Sequence, residues 1–500
     1  MFRRGKERFR LQQQKQRPNI LLITVDQMRW DCLSVMDHPI AETPNLDSLA
    51  RSGVLFRSAY AATPTCIPAR AAIFTGMSQR SHGRVGYQDR VPWNYEHTLP
   101  GELAKAGYHT QCVGKMHVYP TRSLCGFHNV VLHDGYFHYY RDKHSTLANQ
   151  QFDECDDYLR WLRETAGAQH DITDLGLDCN ASTVTRPWHL PEHMHPTNWT
   201  VTQSIDFLRR RDPGKPFFLW TSFVRPHSPL DPPQAYFDMY KDLEMPDPPV
   251  GDWVERTGGG SGSSDPTTIF GEVPARRLNR ARAAYYALIT HIDDQIGRLL
   301  NALQEYGVLR DTLIVFTSDH GEMIGDHHFY RKALPYEGSA KIPFLVYDPS
   351  GSLGFRKGAV VDEVVELRDI MPTLLDAAGA PVPESVDGSS LLPLCRKETA
   401  GRWREYIHGE HAFGALSNHY VTDGREKYIW YSQSGEEQLF DLSSDPQELV
   451  NLAAQPGREE RIALWRERLI GELDGREEGY VDQGRLIAGR TPQACLSHIL

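Results

Sequence analysis

Four short apolar runs in this 500-residue chain end in side chains that can do chemistry. NILLITV (19–25) runs into Asp26-Gln27, and TQCVG (110–114) into Lys115 and His117. PFFLWTSF (216–223) leads to Arg225-Pro226-His227, and TLIVFT (312–317) to Asp319-His320. Asp26, Gln27 and Asp319 offer hard oxygen donors, which suit Ca²⁺, Mg²⁺ or Mn²⁺ better than Zn²⁺. Lysine and arginine beside such a cation make a place for an anionic group such as sulfate, phosphate or carboxylate. Singly, each group has a plainer explanation, since a strand-end Asp is usually a cap and a lone His a structural residue. Their recurrence at four run ends is what points to a site. No GxxxxGK[ST] or GxGxxG accompanies the runs, so nucleotide-binding modes lack support.

A fifth segment, TPTCIPARAAIFTG (63–76), reads as a helix start, because Pro68 is favourable in a first turn. Cys66 then lies at the helix amino terminus, where the dipole and unpaired N–H groups favour an anionic or polarised group. Arg70 follows one turn on, along the same face. On the residues alone a buried inert cysteine and a thiolate nucleophile both stay open. A hard-metal site does not prefer a soft sulfur ligand.

The elements that must position these groups form an α/β pattern, with buried strands separated by helices. Runs covered on both faces read as near-continuous apolar stretches, and ligands of open parallel sheets bind at the carboxyl ends of the strands. IPFLVY (342–347) is a further strand. The clearest helix spans about 283–306, with Tyr285, Leu288, Ile292, Ile296, Leu299 and Leu303 on one stripe. Asp293, Asp294, Gln295 and Arg298 fall largely off it and are expected on a solvated face. GGGSGSS (258–264) reads as a surface loop. Near PVPESVDG (381–388) the parallel pattern stops, and 406–409, 418–423, 427–431 and 438–442 suggest an antiparallel meander before a helix near 459–473. The expected organisation is a basic tail (1–17), an α/β catalytic domain (18–388) and an α+β subdomain (389–500).

The chain carries 54 basic and 65 acidic side chains, a net of −11. Residues 1–17 hold seven basic groups and one acidic, or +6, which leaves −17 on the rest. So acidic a body argues against nucleic acid as a partner. No run reaches the length of a membrane span, the start has no secretory pattern, and eight cysteines are too few for a disulfide scaffold. Those features predict a cytoplasmic protein without a membrane partner.

Cys66-Ile-Pro68-Ala-Arg70 with Thr75-Gly76 matches the C-x-P-x-R-x-x-x-x-T-G signature, so the chain resembles the type I sulfatases of the alkaline phosphatase superfamily. The likeness extends through TPNLDSLA (43–50), GYHTQCVGKMH (107–117), RPHSP (225–229), IDDQIG (292–297), TSDHGEMIGDH (317–327), Lys332 and LFDLSSDPQELVNLA (439–453). It implies a large, mostly parallel sheet flanked by helices, with a smaller carboxy-terminal subdomain containing a short antiparallel sheet. It further implies that a formylglycine-generating or equivalent maturation enzyme oxidises Cys66 to formylglycine. The metal ligands implied are Asp26, Gln27, Asp319, His320 and the oxidised Cys66, with Ca²⁺ ahead of Mn²⁺ or Mg²⁺. Arg70 and Lys115 would neutralise the diol and the sulfate oxygens, and His117 would hydrogen-bond the diol. Lys332 would contact the sulfate and His227 would protonate the leaving group. The reaction implied by the resemblance is attack of one diol hydroxyl on sulfur with departure of the alcohol, after which the second hydroxyl would expel sulfate and restore the aldehyde.

Gln27 and His320 stand where many members carry Asp and Asn, which lowers the anionic charge of the site by one. Lys341 replaces what is often arginine and receives no role. A phosphonate monoester or phosphodiester hydrolase shares this metal set but commonly replaces the Lys-x-His segment with tyrosine and threonine. Lys115 and His117 therefore favour sulfate monoesters, aryl or carbohydrate, as the small-molecule substrate. A non-catalytic sulfate-ester-binding protein is the reading from another class. Tyr87, HYYRD (138–142) and WHLPEHMH (188–195) are candidate pocket residues, and 475–500 is a candidate contact with a second copy of the chain.

Overall fold

The computed structural model describes residues 17–135, 156–171, 174–254, 264–398 and 403–500. The HYYRD stretch, residues 258–263 of the glycine-rich loop and residues 1–16 of the basic tail lie outside them.

An eight-stranded sheet organises the chain. Its order is Asn129–Leu132, His109–Gly114, Phe217–Pro226, Asn19–Asp26, Thr312–Ser318, Phe344–Tyr347, Val54–Phe56 and Ala359–Val361. The central strand Asn19–Asp26 pairs in parallel with both neighbours, and His109–Gly114 is parallel to both of its own. Phe344–Tyr347 runs antiparallel to its two partners. The apolar runs are continuous because each strand feeds two cores. Ile20, Leu22, Phe218, Trp220, Leu313 and Val315 pack on one face. Leu21, Ile23, Val25, Leu219, Ile314 and Phe316 pack on the other.

The helix Cys66–Thr75 covers the first face with all ten residues buried, which removes any solvent-facing stripe from its sequence. Ala275–Glu305 covers the second face, and every residue of the expected stripe is buried. It starts eight residues earlier than the apolar spacing suggests, because Arg276, Arg277 and Arg280 give its first turns no apolar period. The expected solvated face is also corrected in part. Asp294 and Arg298 are exposed, but Asp293 and Gln295 are buried. The Asp293 carboxylate accepts from Asn45 N, Asn45 Nδ2 and Leu46 N at 2.8–2.9 Å, satisfying the first-turn amides of Pro44–Ser52.

A four-stranded antiparallel sheet follows, in the order Ile407–His411, Asn418–Thr422, Glu426–Tyr431 and Glu437–Asp441. It shares a core with Tyr60, Met323 and Tyr336, and the helix Glu459–Leu473 packs on its other face through Trp465 and Leu469. The terminal stretch docks on its own chain, with Val85 N donating to Ala494 O at 3.0 Å and Leu496 N to Gly83 O at 2.8 Å. No helix among the described residues is long and apolar enough to cross a membrane.

Gly114 shows how tightly the sheet edge is set. Its φ is +98°, and a Cβ there would stand 1.9 Å from Ser222 O, the carbonyl that accepts from Lys115 N at 2.9 Å. Gly114→Ala is expected to cost about 3 kcal/mol or more, from a disfavoured backbone plus a backbone clash. The measurement is a lower denaturant midpoint with unchanged slope.

Candidate active site

Parallel pairing carries the ends of the central strands to one edge. The register between Asn19–Asp26 and Phe217–Pro226 shifts after Thr24, so Asp26 pairs with Pro226, and His227 N donates to Asp26 O at 3.0 Å. Asp319 N donates to Val25 O at 3.1 Å on the other side. Gln27 turns out of the strand at φ +73°, a conformation that L residues hold only when the surroundings fix it. Here Gln27 N donates to Asp319 Oδ1 at 3.1 Å, and Tyr285 Oη donates to Gln27 O at 2.6 Å. His117, at φ +57°, is fixed by Asp134, whose carboxylate accepts from Met116 N and His117 N at 2.7 and 3.0 Å.

Asp26, Cys66, Asp319 and His320 are fully buried, and one ligand atom from each lies within 4.8 Å of all the others. Cys66 Sγ is 3.6 Å from Asp26 Oδ1 and 3.3 Å from His320 Nε2. His320 Nδ1 lies 2.9 Å from Gly321 O, which assigns its proton there and turns the Nε2 lone pair inward. That nitrogen stands 3.5 Å from Asp26 Oδ1 and 3.7 Å from Asp319 Oδ1. Burial lowers the His320 pKa, which keeps the ring neutral, as a metal ligand must be. Two carboxylates and one imidazole lone pair converging on a point fit a divalent cation of the hard-to-borderline class.

Cations surround the cluster. Lys115, fully buried, pairs with Asp26. Arg70 donates from Nε to Asp319 Oδ2 at 3.1 Å, and from Nη1 to Lys115 O at 2.7 Å and Ser222 Oγ at 3.0 Å. Burial alone would raise the Asp26 carboxyl, but the Lys115 charge, with Lys332 beyond it, outweighs burial and holds it well below the usual carboxylate range. Burial, and then the Asp26 charge, push the Cys66 thiol up to about 11. An unmodified Cys66 is therefore a neutral thiol at pH 7, which removes support for a resting thiolate nucleophile.

Lys332 reaches the cluster from a loop and is half-buried. Its Nζ donates to Gln27 Oε1 at 2.6 Å and lies 2.5 Å from His227 Nε2. His227 Nδ1 is 2.8 Å from Ser228 O, so that nitrogen carries the ring proton and Nε2 accepts from Lys332. Burial, then Lys332, lower the His227 pKa well below the ordinary imidazole value. Gln27 thus presents Oε1 to Lys332 while its Nε2 donates to Glu322.

Beside Cys66 and Lys332 lies a cavity of about 390 Å³, whose wall includes Tyr87, Ile269, Arg331, His411 and Phe413. Tyr87 lies 6.1 Å, ring to ring, from the buried His117. Trp188–His195 takes no part in that lining. Trp188 N donates to Pro232 O, and His195 Nδ1 accepts from Thr197 N at the start of the helix Pro196–Arg210.

Sequence reasoning missed several residues that hold the site. Glu322 accepts from Gln27 Nε2, Ile324 N and Arg331 N. His411, from the antiparallel sheet, meets Thr65 Oγ1 at 2.9 Å, just before the Cys66 helix. The Gly321-Glu322 pair directly after Asp319-His320 was a usable signal for the first. Nothing local marks the second, which is 345 residues from Cys66 in the chain (411 − 66).

A family described as Sulfatase matches residues 18–380, and one described as N-sulphoglucosamine sulphohydrolase, C-terminal, matches 325–473. An arylsulfatase of Clostridium perfringens is 58% identical, over 97% of this chain and 100% of its own. A multifunctional alkaline phosphatase superfamily protein of Trinickia caryophylli is 31% identical over 88% and 92%. Among solved structures, the phosphonate monoester hydrolase of Agrobacterium radiobacter superposes with TM-score 0.71 at 27% identity, covering 91% of this chain and 95% of that one.

Proposed function

Because the chain belongs to the sulfatase family and is a sulfuric ester hydrolase, we propose that it hydrolyses an aryl or carbohydrate sulfate monoester at the Cys66 cluster. In this reading Cys66 is oxidised to formylglycine by a maturation enzyme. One divalent ion, Ca²⁺ ahead of Mn²⁺ or Mg²⁺, is held by Asp26, Gln27, Asp319 and His320 with the oxidised residue. The observation that carries the reading is the burial of Cys66, at a helix start, within one cluster of Asp26, Asp319 and His320 ringed by Lys115, Arg70 and Lys332.

When present, the hydrated aldehyde would supply the nucleophile, and the ion would supply charge against the sulfuryl oxygens. The chain's own residues do the rest. Arg70 fixes Asp319, and Lys115 lies where negative charge develops, preorganised by burial. Lys332, at the cavity, binds a sulfate oxygen, and its partner His227 lies where a leaving oxygen needs a proton. His117, beside Tyr87, would hydrogen-bond a hydroxyl of the hydrated residue 66. Residues 18–388 carry this chemistry in the proposed organisation, and 389–500 lend His411 and Phe413 to the cavity wall. The reading keeps a cytoplasmic setting, which suits seven described cysteines that are all free thiols.

The test compares kcat/KM for 4-nitrophenyl sulfate and 4-nitrophenyl phenylphosphonate, after mass spectrometry of the Cys66 peptide has established oxidation. A clear sulfate preference is expected. A phosphonate preference favours a phosphonate monoester or phosphodiester hydrolase, the reading that the Agrobacterium radiobacter likeness supports. An oxidised protein inert to every sulfate ester offered would instead favour a non-catalytic sulfate-ester-binding protein.

Asp319→Asn is expected to weaken metal binding at least about tenfold, because it removes a ligand charge and loosens Arg70. Calorimetric titration of Ca²⁺ into chelated protein measures this, and unaltered affinity removes Asp319 from the ligand set.

A further inference from the structure

The cavity beside Cys66 has an unbalanced wall. Two basic side chains, Arg331 and Lys332, line it together with His411, and none of its lining residues is a carboxylate. Lys332 faces the reacting centre, bonded to Gln27 and His227. Arg331 has no such duty. Its backbone is pinned at φ +69° by a bond from its N–H to Glu322 and by Met323 N donating to its carbonyl at 2.8 Å. Its half-buried guanidinium donates from Nη2 to the neutral Asn180 Oδ1 at 2.7 Å. Among the described residues no carboxylate oxygen lies within 4.0 Å of that guanidinium. A guanidinium has five N–H donors in a planar fork suited to carboxylate or sulfate. One of them is used here. A half-buried arginine commonly finds an acid partner, since partial desolvation makes an uncompensated charge costly.

The ester sulfate carries a single negative charge, which Lys332 and the buried cations already answer. The remaining wall, Tyr87, Ile269 and Phe413, suits a flat apolar body. We propose that Arg331 is a second anion subsite, held by Asn180 and Glu322, so that the preferred substrates are sulfate esters whose leaving group is a ring bearing a carboxylate or a further sulfate. The inference rests on the sulfatase reading for the orientation of the ester, but its subsite is measurable without turnover.

The experiment uses 4-carboxyphenyl sulfate and its methyl ester, which share a ring and differ in one charge. In the non-turning Cys66→Ala protein, calorimetry should show the acid binding about tenfold or more tightly than the methyl ester. Adding Arg331→Gln should abolish that difference while leaving methyl-ester binding within about twofold, and Arg331→Lys should retain part of it. Equal binding of the two esters, or a difference that survives Arg331→Gln, would overturn the subsite. Turnover by oxidised wild-type protein judges the other reading separately. Hydrolysis of neither ester with the binding difference intact would sink the sulfatase reading and leave the subsite standing.

Discussion

Cys66→Ala is expected to abolish sulfate-ester turnover, a loss on the order of 10⁵-fold in kcat, because in the proposed reaction it removes the nucleophile and leaves only binding and electrostatic stabilisation. The fold should hardly notice. Cys66 Sγ lies 3.6 Å from Asp26 Oδ1 and 3.3 Å from His320 Nε2, and its thiol holds no charge that the fold depends on. A Tm change of no more than about 3 °C is therefore expected. Cys66→Ser sharpens the test. It keeps a hydroxyl at the helix start but cannot become the hydrated aldehyde, so release of sulfate would need water to attack a hindered sulfur. Turnover should still fall by about 10³-fold or more. A serine variant near wild-type activity would remove formylglycine from the account, and an alanine variant that turns over would remove residue 66 as the nucleophile.

How much of this was legible in the sequence depends on the reach of each interaction. Asn19–Asp26 and Thr312–Ser318 announce themselves because burial on both faces makes them continuously apolar. Val54–Phe56 and Ala359–Val361, three residues each, are too short to show a pattern and exist because neighbouring strands offer them hydrogen bonds. The side chains at the strand ends were visible for the same reason as the strands. Their supports were not. Asp293 lies off an apolar stripe yet is buried, since it faces the first amides of another helix rather than water. His411 reaches Thr65 only because the antiparallel sheet folds back onto the catalytic edge. Nothing in the sequence around Arg331 marks it, and only the cavity gives it a direction.

Lys332→Met is expected to lower kcat/KM by about 10³-fold, and the loss should grow as the leaving group worsens. Two effects add. The variant removes a cation at the cavity, where partial burial makes its charge more effective than in water. It also removes the proton source of His227, because His227 Nδ1 is committed to Ser228 O and Nε2 accepts from Lys332. The proton in that contact therefore resides on the lysine, and the pair, not the imidazole alone, is the acid in the proposed reaction. His227→Ala separates the effects, since it leaves Lys332 its charge and its bond to Gln27. Phenyl sulfate should lose about 10²-fold or more in that variant, and 4-nitrophenyl sulfate, whose leaving group needs little protonation, less than about tenfold. A plot of log kcat/KM against leaving-group pKa should thus steepen in both variants, with an additional uniform drop in Lys332→Met alone. Equal damage to both esters in His227→Ala would strip His227 of any part in proton transfer and leave Lys332 with a purely electrostatic role.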